Sequence, residues 1–70
     1  MEDKLSDDEI YILSIIRKCI ERNPYKSTTY VTEVMLESDR TYLEVAELVE
    51  KLEEKGFIIE EIPGGDISLL

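Results

Sequence analysis

The segment from residue 41 to residue 57, TYLEVAELVEKLEEKGF, most constrains the fold of this chain of 70 residues. Thr41 and Glu44 have the spacing of a capping box, in which each side chain satisfies an N–H group at the start of a helix. Gly56 stands where a helix commonly ends in the left-handed conformation. Between these signals, apolar residues recur at helical intervals at Tyr42, Val45, Leu48, Val49 and Leu52. The segment therefore predicts a helix with one apolar face that the rest of the chain must cover.

Two further helices are predicted before this one. Ser6 and Glu9 form another capping box, and Pro24 ends the helix that follows it. Six apolar residues share one face of that helix: Ile12, Leu13, Ile15, Ile16, Cys19 and Ile20. A shorter helix is predicted to follow the candidate N-caps in residues 26–29 and to end near Ser38. Its apolar positions are Tyr30, Val31, Val34 and Met35.

The end of the chain has the pattern of a β-hairpin. Residues 57–62 and 67–70 are rich in residues that favour strands, and Pro63-Gly64-Gly65-Asp66 lies between them as a turn. The predicted order is helix, helix, helix, strand, strand, which is a small α+β fold. We expect one domain over residues 6–70, preceded by a short acidic extension at residues 1–5.

The composition limits the classes of function. With 43% hydrophobic and 36% charged residues the chain is expected to fold around a core. Cys19 is the only cysteine and histidine is absent, which excludes an internal disulfide and a Cys/His zinc site. Cys19 also lies on the apolar face of its helix, where a thiol usually packs inertly, so we predict no enzymatic activity and no cofactor. Neither a secretory signal nor an apolar run of about 20 residues is present, so a cytoplasmic location away from membranes is expected. The absence of glutamine resembles usage reported for thermophilic proteins.

Three helices with a short turn between the second and third, followed by a hairpin, resemble the winged helix-turn-helix arrangement. Residues 48–58, LVEKLEEKGFI, resemble the junction of helix 3 and the wing in multiple-antibiotic-resistance-type transcription regulators. Residues 60–65, EEIPGG, resemble the wing of the C-terminal winged helix of archaeal replicative helicases. The resemblance implies a three-helix winged helix-turn-helix with a two-stranded β-hairpin wing, and DNA binding through helix 3 and the wing.

The positions that would contact DNA depart from this resemblance. In the regulators, the positions matching Glu44 and Glu47 tend to be Ser or Thr and Arg, and arginines usually stand where this wing has Glu60, Glu61 and Asp66. The outward face of helix 3 is predicted to carry Leu43, Glu44, Glu47, Glu50, Glu54 and Lys51. With a net charge of −9, the chain is expected to be repelled by polyanions.

Three functions remain open at this point. The first is a non-enzymatic winged-helix interaction module that engages a basic protein partner through the acidic outer face of helix 3, the edge strand of the wing at residues 67–70, or both. Its candidate partner-binding residues are Leu43, Glu44, Glu47, Glu50, Glu54, Glu60 and Glu61. A simpler interpretation is that these glutamates form a solvated helix face without a partner.

The second function is a DNA-binding transcription regulator or replication-associated domain that docks in a non-standard way. Its candidate nucleic-acid patch consists of Arg17, Lys18, Arg22, Lys26 and Arg40. Most of these cations also complement the helix dipole at the end of helix 1, which is a structural role. The protein would be a monomer, or a homodimer joined at an edge formed by Ile10 and Tyr11. The third function is an acidic inhibitor that imitates DNA.

Overall fold

A computed structural model describes residues 4–61 and 65–70 of the chain. Its elements are α1 (Asp7–Glu21), β1 (Thr28–Thr29), α2 (Val31–Ser38), α3 (Tyr42–Glu54), β2 (Ile58–Glu60) and β3 (Ile67–Leu69). This is a small α+β fold with three helices and an antiparallel sheet, and it is compatible with a winged-helix arrangement. The predicted turn residues Pro63 and Gly64 and the start of the predicted extension, residues 1–3, lie outside the described residues.

Both predicted capping boxes are confirmed. The Glu9 N–H donates to the Ser6 hydroxyl at 3.2 Å, and the Ser6 N–H donates to the Glu9 carboxylate at 2.7 Å. Thr41 and Glu44 exchange the same two bonds at 3.2 and 3.3 Å at the start of α3. These caps satisfy N–H groups that have no partner within the helix, and so they determine where α1 and α3 begin.

The second helix begins later than its predicted caps. Its N-cap is Tyr30, which makes no capping hydrogen bond through its side chain, and the predicted caps Thr28 and Thr29 form β1 instead. Thr28 pairs with Ser68 and Thr29 pairs with Ile67. β-branched threonines suit a strand, and the tertiary pairing with β3 prevails over their capping preference. The predicted antiparallel pairing of the last two strands is confirmed, but the sheet has a third strand, in the order β1-β3-β2, and is not a two-stranded hairpin.

The prediction that residues 67–70 form an edge strand is wrong. β3 is the central strand, since it pairs with β1 on one side and with β2 on the other. The outer edge of β2 is partly covered, because the Glu60 N–H donates to the Glu53 carboxylate of α3 at 3.2 Å. A side chain that occupies an edge N–H hinders the addition of another strand there.

The core lies between the three helices and the inner face of the sheet. Its fully buried side chains are Ile12, Ile16, Val31, Val34, Val45, Val49, Leu52, Ile58 and Ile67. Leu5, Met35, Leu48 and Phe57 pack against this cluster from its margin. The apolar faces predicted for the three helices are thus largely the faces that meet, but Tyr42, predicted on the apolar face of helix 3, is 48% exposed.

Gly56 ends α3 with a φ of +86°, the left-handed conformation that its position predicts. A Cβ added here would meet nothing within 4 Å, so the cost of a side chain is conformational and not steric.

We expect Gly56→Ala to lower the free energy of unfolding by about 1 kcal/mol, measured by urea denaturation. Asp39→Asn is the matched control, since Asp39 has a φ of 59° and both residues tolerate it. An unchanged midpoint for Gly56→Ala would contradict this account of the helix end.

Candidate functional site: the outer face of the third helix

The side of α3 that points away from the core carries Leu43, Glu47, Glu50 and Glu54, which we call the acidic face of α3. Leu43 is 68% exposed although it is a large apolar residue. Within residues 4–61 and 65–70, none of the three glutamates forms an ion pair. The face therefore presents one apolar side chain at the start of a row of carboxylates, and the exposed Lys51 stands beside that row.

The three other predicted partner-binding residues differ from this group. Glu44 is exposed but accepts the capping bonds of Thr41 and stands 4.0 Å from the Arg40 guanidinium. Glu60 is half-buried within β2, and Glu61 follows at the exposed end of that strand. The structure thus places Leu43, Glu47, Glu50 and Glu54 on one helix face with Glu44 at their border, whereas Glu60 lies in β2 and Glu61 just after it.

Two members of the predicted nucleic-acid patch share one carboxylate. Lys18 and Arg22 of α1 both pair with Glu37 of α2, with Lys18 Nζ 3.4 Å from Glu37 Oε2. The hydrogen bond from Arg22 lowers the pKa of Glu37 below its ordinary value, which keeps the acid ionised beside the two cations. This arrangement ties α1 to α2, and it offsets part of the positive charge that a phosphate backbone would need.

The other cations of the patch lie apart from this pair. Arg40 contacts the first half of α1, where it donates to Asp8 at 3.2 Å and its guanidinium carbon stands 5.3 Å from the centre of the Tyr11 ring. Lys26 donates to the Tyr30 hydroxyl at 2.7 Å. In the described part of the chain only Arg17 is left with no such contact. The five cations are therefore distributed over separate contacts.

The two residues of the candidate dimer edge, Ile10 and Tyr11, also differ in their contacts. Tyr11 is partly exposed, but its hydroxyl donates to the Ser38 carbonyl at 3.3 Å and its ring carries Arg40. Ile10 is more exposed and borders a shallow cleft along α1. Tyr11 thus has an intramolecular role, and Ile10 alone is left as an apolar side chain on that edge.

The structure also shows an ion pair that sequence reasoning missed. Glu9 is only 3% exposed, and Lys55 Nζ lies 2.8 and 3.0 Å from its two carboxylate oxygens. Lys55 also donates to the Lys4 carbonyl at 3.3 Å. The bonds from Lys55 and from the Ser6 N–H lower the pKa of Glu9 from 4.5 to about 2. The capping box identifies the local half of this arrangement, but no short-range signal points to Lys55.

The Cys19 thiol and the metal-ligating types of side chain add few constraints on the chemistry of this chain. Burial raises the pKa of the Cys19 thiol, which makes it a weaker nucleophile. Within residues 4–61 and 65–70, no three His, Cys, Asp or Glu side chains are grouped in a way that could hold a metal ion. Nor does any helix in those ranges have the length and apolar character to span a bilayer.

Comparison with protein-family models, curated proteins and solved structures gives no match to this chain.

Proposed function

We propose that this chain is a non-enzymatic winged-helix interaction module that binds a basic protein surface through the acidic face of α3. The observation that carries the proposal is the exposure of Leu43 on the same helix face as Glu47, Glu50 and Glu54, none of which forms an ion pair within residues 4–61 and 65–70. An apolar side chain within a charged rim can supply contact energy, while the rim selects a partner of opposite charge. The proposed location is inside the cell, where a single cysteine such as Cys19 stays reduced.

The winged-helix assignment is supported by the geometry around α3. Residues 39–41 form a turn of the length typical between the two helices of a helix-turn-helix, with Asp39 in the left-handed conformation. After α3 the chain turns at Gly56 into β2, which pairs with β3 in an antiparallel register. The acidic face therefore occupies the position where DNA-binding relatives of this arrangement would present their recognition helix.

The alternatives are less well supported by the same surfaces. A DNA-binding role would require Lys18, Arg22 and Arg40 to exchange their carboxylate partners for phosphates, on a chain with a net charge of −9. The inhibitor that imitates DNA is a special case of our proposal, in which the basic partner is itself a nucleic-acid-binding protein. Competition between DNA and this chain for such a partner would identify that case.

We expect the charge reversal Glu47→Lys to weaken binding of a basic peptide by about tenfold at low salt, because close opposite charges at an interface couple strongly. The probe is a labelled, amphipathic peptide of about 18 residues with leucines on one face and lysines and arginines elsewhere. Fluorescence anisotropy at about 50 mM NaCl measures its affinity.

The matched control is Glu21→Lys, which changes the net charge equally at an exposed position of α1. Equal losses in the two variants would mean that only net charge matters, and would reject the acidic face of α3 as the site. A duplex DNA of random sequence is titrated in parallel. If the unaltered chain bound this DNA with an affinity that fell steeply with salt, the regulator function would replace our proposal.

A further inference from the structure

Leu36 lies at the centre of the exposed side of α2 and is 78% exposed. The opposite side of this helix, with Val31 and Val34, is buried in the core. Leu36 therefore contributes little to the packing of the domain, and its exposure is larger than that of Leu43. A large apolar side chain in this position is available for contact with another molecule.

Two open clefts flank Leu36. One, of about 400 Å³, lies between α2 and the end of α1, with Cys19 and Pro24 among its lining residues. The other, of about 330 Å³, lies between α2 and the turn into α3, where Met35 forms part of the lining. Because Leu36 borders both clefts, it forms a ridge with a depression on each side. This shape is complementary to a helix of a partner, because four side chains on a helix surface form a hole that can accept one side chain such as Leu36.

Each side of this ridge carries a carboxylate outside the ion pairs of the described residues. In the first cleft Glu37 pairs with both Arg22 and Lys18, and in the second Arg40 pairs with Asp8. Among the described residues, the carboxylate of Glu33 in the first cleft accepts a hydrogen bond only from the neutral hydroxyl of Thr29, at 2.8 Å. Asp39 in the second cleft has no ion pair within the described ranges 4–61 and 65–70. Each side of Leu36 thus keeps a carboxylate for a cationic partner.

We propose that Leu36 anchors an amphipathic, lysine- and arginine-rich helix of a partner protein, with its cations placed over Glu33 and Asp39. The inference rests on the proposed function and extends it, because it adds a second apolar contact to that of Leu43 and names the form of the partner. Glu44 lines the cleft beside Leu36 and lies one helical turn before Glu47. A helix seated on Leu36 therefore continues towards the acidic face of α3.

Charge also selects among the occupants of this surface. A second copy of the chain would bring Glu33 and Asp39 against the same carboxylates, and each copy has a net charge of −9. DNA would meet the same repulsion. A cationic helix is the occupant whose cations can pair with Glu33 and Asp39 while its apolar face covers Leu36.

We expect Leu36→Ser to weaken binding of the amphipathic basic peptide by about tenfold, because a truncated central anchor removes most of the apolar contact. The control is Leu70→Ser, which removes a similarly exposed leucine outside the two clefts and is expected to change the affinity by less than about twofold. Circular dichroism verifies that both variants remain folded. A peptide of the same composition with its leucines scrambled serves as the second probe, since it retains the charge but has no apolar face.

The outcomes separate this inference from the proposed function. A loss with Leu36→Ser that persists at about 300 mM NaCl, with weak binding of the scrambled peptide, supports the anchor. If Glu47→Lys weakens binding and Leu36→Ser does not, the inference is wrong and the proposed function stands. Equal affinity for the ordered and scrambled peptides also overturns the inference, because charge alone then explains the binding. If neither peptide binds, both proposals fail.

Discussion

Replacing Lys55 with methionine is expected to lower the free energy of unfolding by about 3 kcal/mol at neutral pH. Glu9 is buried, and Lys55 supplies the only cation bonded to its carboxylate in the described part of the chain. Removing the lysine leaves a carboxylate in a largely dry environment, where the cost of desolvation is no longer offset. We expect a loss at the lower end of the range for broken buried ion pairs, because the Lys55 side chain is 29% exposed.

Urea denaturation of two further variants completes this experiment. Lys51→Met, on an exposed position of α3 with no ion pair among the described residues, is expected to change stability by less than about 0.5 kcal/mol. Glu9→Leu combined with Lys55→Met is expected to be more stable than Lys55→Met alone, because no charge is left buried. If Lys55→Met and Lys51→Met had equal stability, the pair would not hold α1 against the end of α3.

The second large effect is a loss of stability in acid. The folded state lowers the pKa of Glu9 from 4.5 to about 2, so the ionised carboxylate stabilises the fold fully above pH 4.5. That contribution is lost as the pH falls from 4.5 through 2, where the acid takes up its proton in both states. The full shift corresponds to about 3 kcal/mol, and partial solvent access to Lys55 reduces this to about 2 kcal/mol.

Comparison with Glu9→Gln isolates this effect. The 17 acidic residues make the chain strongly negative at neutral pH, so mild acid also relieves general repulsion and raises stability for an unrelated reason. Both proteins share that gain. We expect the stability difference between the unaltered chain and Glu9→Gln to be largest near pH 7 and to shrink below pH 4.5. Thermal unfolding across pH provides the measurement, and a difference that stays constant would contradict the assignment to Glu9.

Short-range patterns account for much of the fold. The boundaries of α1 and α3 follow from the bonds of Ser6 and Thr41 to residues three positions later, and Gly56 ends α3 in the conformation that it adopts readily. The apolar faces of these helices are also predictable, because helical periodicity depends only on neighbouring residues. Such signals are complete within one segment of the chain.

What the sequence did not reveal depends on contacts between distant segments. Thr28 and Thr29 have the residue types of helix caps, and only pairing with Ser68 and Ile67 makes them a strand. Glu9 pairs with Lys55, which lies 46 residues later in the chain. At the candidate site, the charge pattern of α3 was predictable, but the pairing of Lys18, Arg22 and Arg40 with acids on other elements was not. Long-range pairing is the information that periodicity does not contain.

The central position of β3 has a consequence for the order of events in folding. Ser68 pairs with Thr28 on one side and with Ile59 on the other. The helices can form from local contacts in about a microsecond, whereas joining β1 to β3 requires the closure of a loop that spans more than half of the chain. The high sequence separation of this contact slows folding, as a high contact order does in other small domains. We therefore expect closure of the sheet, and not formation of the helices, to limit the folding rate.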